Sequence, residues 1–271
     1  ALCNTLSRGD EILVLESGRF APGWGQMGEA LGLCVSTLDG PPRAAVDPDQ
    51  VETLLRADTA GRIKAVLVVH VDTATGVVND LPAIRSALDA AGHDALLLVD
   101  AVASLACLPF AMDEWGVDLA IAASQKGLMA PPGLSFCAAG PRARRAHDSA
   151  DLKTRYWDWT EREGPEHYQK YCGTPPEHML FALDQALRLI REEGLEAVFR
   201  RHRLLAGAVR SAVSTWGEAG AFEFNIRNAA ERADSVTVVR MRDDLDPAPL
   251  LEFCREVCGL TLGIGIGELR G

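Results

Sequence analysis

The sequence predicts an α/β protein. A large unit with a mostly parallel, doubly wound sheet spans residues 1–175, connecting helices follow over 176–217, and a smaller C-terminal α/β unit starts at 218. Three observations carry this reading. Short apolar runs such as Ala95–Val99 and Leu119–Ala123 have the length and composition of strands buried on both faces. Segments with helical spacing and capping residues alternate with these runs, which is the βαβ signature. An acid and a lysine, Asp100 and Lys126, close two of the runs, at the strand ends where open α/β sheets bind ligands.

Each element has its own local reason. Glu11–Leu15 is an apolar strand after the turn Arg8-Gly9-Asp10, and residues 21–32 place Trp24, Met27, Ala30 and Leu31 at helical spacing. Cys34–Thr37 reads as the next strand. Asp47 caps a helix that opens with Pro48 and runs to about Arg56. Lys64–His70 is a third strand. Asp80 caps the helix Leu81–Ala91, which Gly92 ends. Strands are expected to alternate with helices through Cys137. Beyond 150 the aromatics of Tyr156-Trp157-Asp158-Trp159 precede long helices over 177–193 and 195–216, broken at Gly194. Ser235–Met241 alternates as a strand, Pro247–Cys258 reads as a helix, and Leu260–Ile266 as strand or loop. The chain opens in what reads as the tail of a helix and stops in a glycine-rich run, so a longer protein is expected on both sides.

Composition narrows the function. A net charge of −11 argues against a nucleic-acid partner, and no apolar run reaches membrane-spanning length. The seven cysteines form no CxxC pair and no zinc-type cluster. Several, such as Cys137, sit in apolar runs and read as reduced core residues, which points to the cytoplasm. Glycines 263, 265 and 267 do not make a dinucleotide fingerprint, because no helix start follows them. His70 reads as a hydrogen-bonded structural histidine rather than a site residue.

The chemistry centres on Asp100 and Lys126. A lysine at the end of a buried strand is driven towards its neutral, nucleophilic form, which condenses with aldehydes. An acid on the neighbouring strand end can hold a pyridine nitrogen protonated, making pyridoxal phosphate an electron sink. A structural ion pair has the same spacing, and spacing alone leaves both readings open.

The strings Val99-Asp100-Ala101-Val102-Ala103-Ser104 and Ser124-Gln125-Lys126-Gly127, then Ala130-Pro131-Pro132-Gly133, closely resemble the class V aminotransferases, which use pyridoxal phosphate. SRGDEILVLESGRF, HVDTATGVVNDLPAIRSALDAAGH and YWDW extend the resemblance over essentially the whole chain. It implies an aspartate-aminotransferase-like fold and a transaminase that moves an amino group from L-serine, or a similar small amino acid, to glyoxylate. Alanine with glyoxylate and pyridoxamine with pyruvate are the alternative substrate pairs. Cysteine desulfuration on the same fold is disfavoured, since no loop cysteine is placed as a persulfide carrier.

The resemblance also implies roles. Lys126 is the Schiff-base lysine and proton shuttle, and Asp100 partners the pyridinium nitrogen. Gln125 and Thr73 lie near the phenolic oxygen, Val102 packs on one ring face, and Phe20 stacks on the other, although Phe20 read alone is more simply a core phenylalanine. Tyr171 and Thr174 reach the phosphate in the neighbouring subunit, which implies a homodimer with shared sites; read alone, they form a turn ahead of a helix. No metal is implied. The phosphate cup is expected just before Ala1 and the arginine for the substrate carboxylate just after Gly271, with Arg270 not on that position. A non-catalytic interaction protein on this scaffold, or a nicotinamide-dependent oxidoreductase, are the rival classes.

Overall fold

The structure, a computed structural model, describes residues 1–266. Gly267 and Arg270, noted above, lie outside the described residues. The elements in order are α1 (Leu2–Thr5), β1 (Glu11–Leu15), α2 (Phe20–Ala30), β2 (Cys34–Leu38), α3 (Pro48–Ala57), β3 (Ile63–Val69), β4 (Val71–Asp72), β5 (Val77–Val78), α4 (Leu81–Ala91), β6 (Leu96–Asp100), β7 (Leu119–Ala123) and β8 (Ser135–Ala139). Then come α5 (Pro141–Ser149), α6 (Trp159–Arg162), α7 (His167–Tyr171), α8 (Glu177–Glu193), α9 (Leu195–Gly217), β9 (Phe222–Phe224), β10 (Val239–Met241) and α10 (Ala248–Glu256).

Six strands form one sheet in the order β2-β1-β3-β6-β7-β8. All neighbours are parallel except β7 and β8. Alternation along each strand divides the core between the two faces. Leu13, Leu15, Val66, Val68, Leu97 and Val99 pack against α3 and α4 through Val51, Leu55, Ile84 and Leu88. Ile12, Val14, Ala65, Leu67, Leu96 and Leu98 pack against α1, α2 and α5 through Leu2, Trp24 and Ala143. The expected doubly wound architecture is what forms. A register shift between β1 and β3 at Glu11/Ile12 turns Lys64 out to solvent, while Ile63 stays buried.

The helix ends follow local chemistry. The side chain of Asp47 accepts from the Asp49 N–H at 3.0 Å, Asp80 accepts from Ala83 at 2.9 Å, and Gly92 closes α4 in the left-handed region at φ 63°.

Three expectations need correction. No helix joins β6 to β7: residues 101–118 run as turns, because Pro109 removes a donor and Ala106 and Gly116 adopt positive φ. Between β7 and β8 the glycines and prolines of 127–133 leave no regular helix, as their composition predicts, and without a crossover the short 124–134 connection returns the chain antiparallel. As a result Cys137, expected in the core, is exposed on an edge strand. In the C-terminal part, strand structure over 235–241 is confined to Val239–Met241, where the three-residue β9 provides a partner; 260–266 is loop, one of the two forms its sequence allows.

Two polar contacts fix these connections. Asp118, buried at the start of β7, accepts from the Leu97 N–H and from Arg142 Nη1, both at 2.8 Å, while Arg142 Nη2 donates to the carbonyls of Asp94 and Ala95. His70, buried after β3, sets Nδ1 2.9 Å from the Ser104 hydroxyl and packs its ring against Phe110 and Trp115. It is the structural histidine that the sequence suggested. The C-terminal hairpin is hooked to the sheet by Arg43, which donates to the carbonyls of Asn225 and Phe224 and pairs with Glu223.

Two outcomes are expected. Asp118→Ala leaves Arg142 and the Leu97 N–H without their acceptor and should cost about 2–4 kcal/mol in urea denaturation. Burial lowers the pKa of His70 from 6.5 to about 4, against a smaller opposing effect of Asp80. Between those values the unfolded chain binds a proton that the folded chain does not, so stability rises with pH across this window. The His70 contribution is present above pH 6.5 and is lost as pH falls towards 4, by up to about 3 kcal/mol. His70→Asn should flatten that part of the stability–pH curve.

Candidate active site

From β1 the chain passes through α2 to β2 on one side, then through α3 to β3 on the other. The carboxyl ends of β1 and β3 therefore flank a topological switch point, and β6 and β7 extend the same edge. Residues 16–20, 70–76, 100–102 and 124–126 follow these four strand ends.

Asp100 ends β6, half-buried. Its Oδ1 accepts from the Val102 N–H at 2.8 Å, and Oδ2 accepts no hydrogen bond among the described residues. Burial raises its pKa, the Val102 N–H opposes this, and the negative Asp72 raises it further. Such a carboxyl gains from any cation that reaches it.

Lys126 lies in the turn after β7, whose bonds run from Ala130 N–H to the Ser124 carbonyl and from Met129 N–H to the Lys126 carbonyl. A side chain on Gly127 would overlap the Leu105 carbonyl and the Cys107 sulfur. Glycine at 127 therefore lets the lysine turn lie directly on the segment that leaves Asp100. The Lys126 side chain is exposed, so burial is not what distinguishes it, contrary to the sequence expectation. Among the described residues it makes no ion pair, with Asp100 or any other acid, within 4.0 Å, as is true of every lysine described; its place just past β7, on the strand end next to that of Asp100, is what sets it apart. The structural ion-pair reading lacks its bond.

The other candidates divide into two groups. Gln125 is exposed beside Lys126, Val102 is half-buried two residues after Asp100, and Thr73 is half-buried in the turn of the β4–β5 hairpin. Phe20 is not a core residue: it opens α2 with 41% of its surface exposed, at the carboxyl end of β1. These four share the strand-end edge with Asp100 and Lys126. Tyr171 and Thr174 stand apart, at the end of α7 and just past the left-handed Cys172, with no hydrogen bond to the strand-end residues. Nearby, Trp157 is exposed and Trp159 packs on His147 at 5.1 Å.

Sequence reasoning passed over Asp72, Gly18, Ser17 and Asn79. Asp72 is fully buried; its Oδ2 accepts from the Phe20 N–H at 2.9 Å, and its Oδ1 from Ala74 at 2.9 Å and Thr75 at 3.3 Å. Asn79 donates to the Ser17 hydroxyl and the Val69 carbonyl, and the Thr75 hydroxyl donates to the Ser17 carbonyl. An aspartate opening a tight turn was the available signal, but its partner 52 residues away was not visible.

The residues fit a flat cationic heteroaromatic that carries an aldehyde. Among the described residues, a half-buried carboxyl has one oxygen without a partner and an amine without an ion pair stands on the next strand end, and an aromatic and an aliphatic side chain share the edge. A separate apolar cavity of about 410 Å³ behind the lysine turn, between Leu105–Phe110 and the α8–α9 corner, contains none of the candidates.

The family model described as aminotransferase class-V matches residues 1–265. A serine–glyoxylate aminotransferase of Methylorubrum extorquens is 40% identical over all of this chain and 68% of that protein. An L-aspartate–glyoxylate aminotransferase of Paracoccus denitrificans is 38% identical over all of this chain and 67% of that protein. Among solved structures, alanine–glyoxylate aminotransferase from Nostoc sp. superposes with a TM-score of 0.84 at 28% identity, covering 99% of this chain and 70% of that one. Pyridoxamine–pyruvate aminotransferase from Mesorhizobium loti gives 0.85 at 29% identity, over 99% and 67%. On its sequence and its fold, the chain belongs to the class V aminotransferases and is a pyridoxal-phosphate-dependent transaminase.

Proposed function

We propose that this transaminase moves the amino group of L-serine, or a similar small amino acid, to glyoxylate, releasing a 2-oxo acid and glycine. The observation that carries the reading is a lysine just past β7 on the strand end next to that of a half-buried acid, Asp100, at the end of β6. The names of the relatives support the acceptor: those from Methylorubrum extorquens and Paracoccus denitrificans share glyoxylate and differ in the donor, serine in one and aspartate in the other.

Pyridoxal phosphate, when bound, supplies an electron sink for the donor's α-carbon and carries the amino group between the two halves of the reaction. The chain supplies the rest. Lys126 would be the amine that anchors the cofactor through its aldehyde, and once free its Nζ would be the base that moves the donor's α-proton. Asp100 would hold the cofactor's ring nitrogen protonated, a charge-assisted contact that would also relieve the cost of its own burial. Val102 and Phe20 bound the ring faces, and Gln125 and Thr73 serve the ring oxygen. Tyr171 and Thr174 serve the phosphate in the partner subunit of a homodimer. The exposed Trp157, Tyr168 and Phe181 near them supply apolar surface for such a contact. Seven free thiols suit a reducing compartment such as the cytoplasm.

The first test is an absorbance spectrum of the purified protein with pyridoxal phosphate, before and after L-serine. A visible band that bleaches with serine and returns with glyoxylate is the expected result. A band that ignores serine and responds to aspartate, alanine or pyridoxamine changes the donor; no band removes the reading. Lys126→Ala should abolish turnover, and near-normal turnover would take the lysine out of the mechanism. Asp100→Asn should keep the visible band and lower kcat by roughly 100-fold or more, the loss of an electrostatic contact used most at the transition state.

A further inference from the structure

A carboxylate with no solvent exposure, at Asp72, binds the N–H of Phe20 52 residues away in sequence, and the cofactor reading above gives it no role. Asp72 spans the switch point. One oxygen takes the first N–H of α2, at Phe20, and the other takes two N–H groups of the hairpin turn, at Ala74 and Thr75. Arg19, the residue ahead of α2, makes no side-chain cap bond, so this remote acid caps the helix instead. Burial would be costly for the acid without such donors; with three it is satisfied.

The surroundings are built around this contact. A Cβ on Gly18 would overlap the Asp72 carboxyl, so glycine there is the condition for the acid to reach Phe20. Beneath it, Asn79 and Thr75 hold Ser17, so the turn before α2 is gripped at Ser17 and at Phe20. On the far side, Asn225 donates to the Thr75 carbonyl, and the Gly76 carbonyl accepts from Ala233. The two residues whose backbones Asp72 sets are Phe20, which it holds directly, and Thr73, which sits between Asp72 and the two N–H groups it binds.

We propose that Asp72 is a positioning residue for the cofactor ring: by binding the Phe20 N–H and the Ala74–Thr75 turn together, it sets the separation between the aromatic wall and the Thr73 hydroxyl, and Gly18 is the space that permits it. This rests on the cofactor reading above. Asp72 touches neither substrate nor reacting atoms; it acts through Phe20 and Thr73.

The chemistry of the two oxygens makes the test selective. Asn has one acceptor oxygen and one donor amide, so Asp72→Asn keeps the turn or the helix cap, never both. Keeping the two turn bonds leaves an N–H facing the Phe20 N–H. Gly18→Ala leaves the acid intact and displaces it by contact alone.

The experiment titrates purified wild type, D72N, G18A and the double variant with pyridoxal phosphate. It follows the visible absorbance band, the visible circular dichroism of the bound cofactor, and amide hydrogen exchange over residues 18–21. D72N should still form the band, because Lys126 and Asp100 remain, with affinity lower by about ten-fold, the equivalent of one hydrogen bond to a charged group. Its visible circular dichroism should shrink and the Phe20 amide should exchange faster. G18A should do the same, and the double variant should be no worse than either single one, because both break one contact. Should D72N fail to fold, G18A carries the comparison. D72N with wild-type affinity and wild-type dichroism overturns the proposal, as do additive losses in the double variant. A wild type that forms no visible band brings down the cofactor reading first, and this proposal with it.

Discussion

The structure depends on burying both faces of the β1–β3–β6 sheet. Leu13, Val66, Leu97 and Val99 on one face, and Ile12, Leu67 and Leu98 on the other, fill the centres of the strands with apolar side chains and leave Glu11, Lys64 and Asp100 at or next to strand ends. Groups that carry charge or hydrogen-bonding capacity are therefore displaced to the strand ends, where the backbone ladder stops and loops begin. Parallel pairing gathers those ends on one edge, and the change of direction between β1 and β3 opens it. The reactive edge is thus a consequence of how the core is filled.

Three acids show how differently that edge and its opposite treat a buried carboxyl. Asp118, at the amino end of β7, is compensated by Arg142, more distantly by Arg85, and by a backbone N–H; it clasps connections that have no helix to stiffen them. Asp72 is compensated by backbone N–H groups alone and ties two loops into one surface. Asp100 has one oxygen satisfied and one open, with burial and Asp72 both working against its charge. Of the three, Asp100 has the fewest hydrogen-bond donors among the described residues, the Val102 N–H alone.

The strand-end loops also act as a unit. Gly127 seats the lysine turn on the segment after Asp100, and Gly18 seats the turn before α2 on Asp72. In both places a missing side chain lets one loop lie on another, so Lys126 and Phe20 are aimed by their neighbours and not by their own helices or strands. The C-terminal hairpin joins the same system through Arg43, Asn225 and Thr75.

The sequence by itself determined the strands that fill the core, the helix caps at Asp47, Asp80 and Gly92, and the position of Asp100 and Lys126 at strand ends. These follow from local composition: an apolar run must be buried, and a polar residue that closes it must sit at its edge. It also determined the family, because the strings around those two residues are long and specific. Tertiary structure alone decided the antiparallel turn into β8, the exposure and freedom of Lys126, and the hold of Asp72 on Phe20. The reason is distance along the chain. A strand's direction depends on which neighbour is free to pair, and a side chain's exposure on what else covers it. The partner of a buried acid depends on which backbone N–H the fold carries to within 3 Å of it; none of these is a property of the residues nearby in sequence.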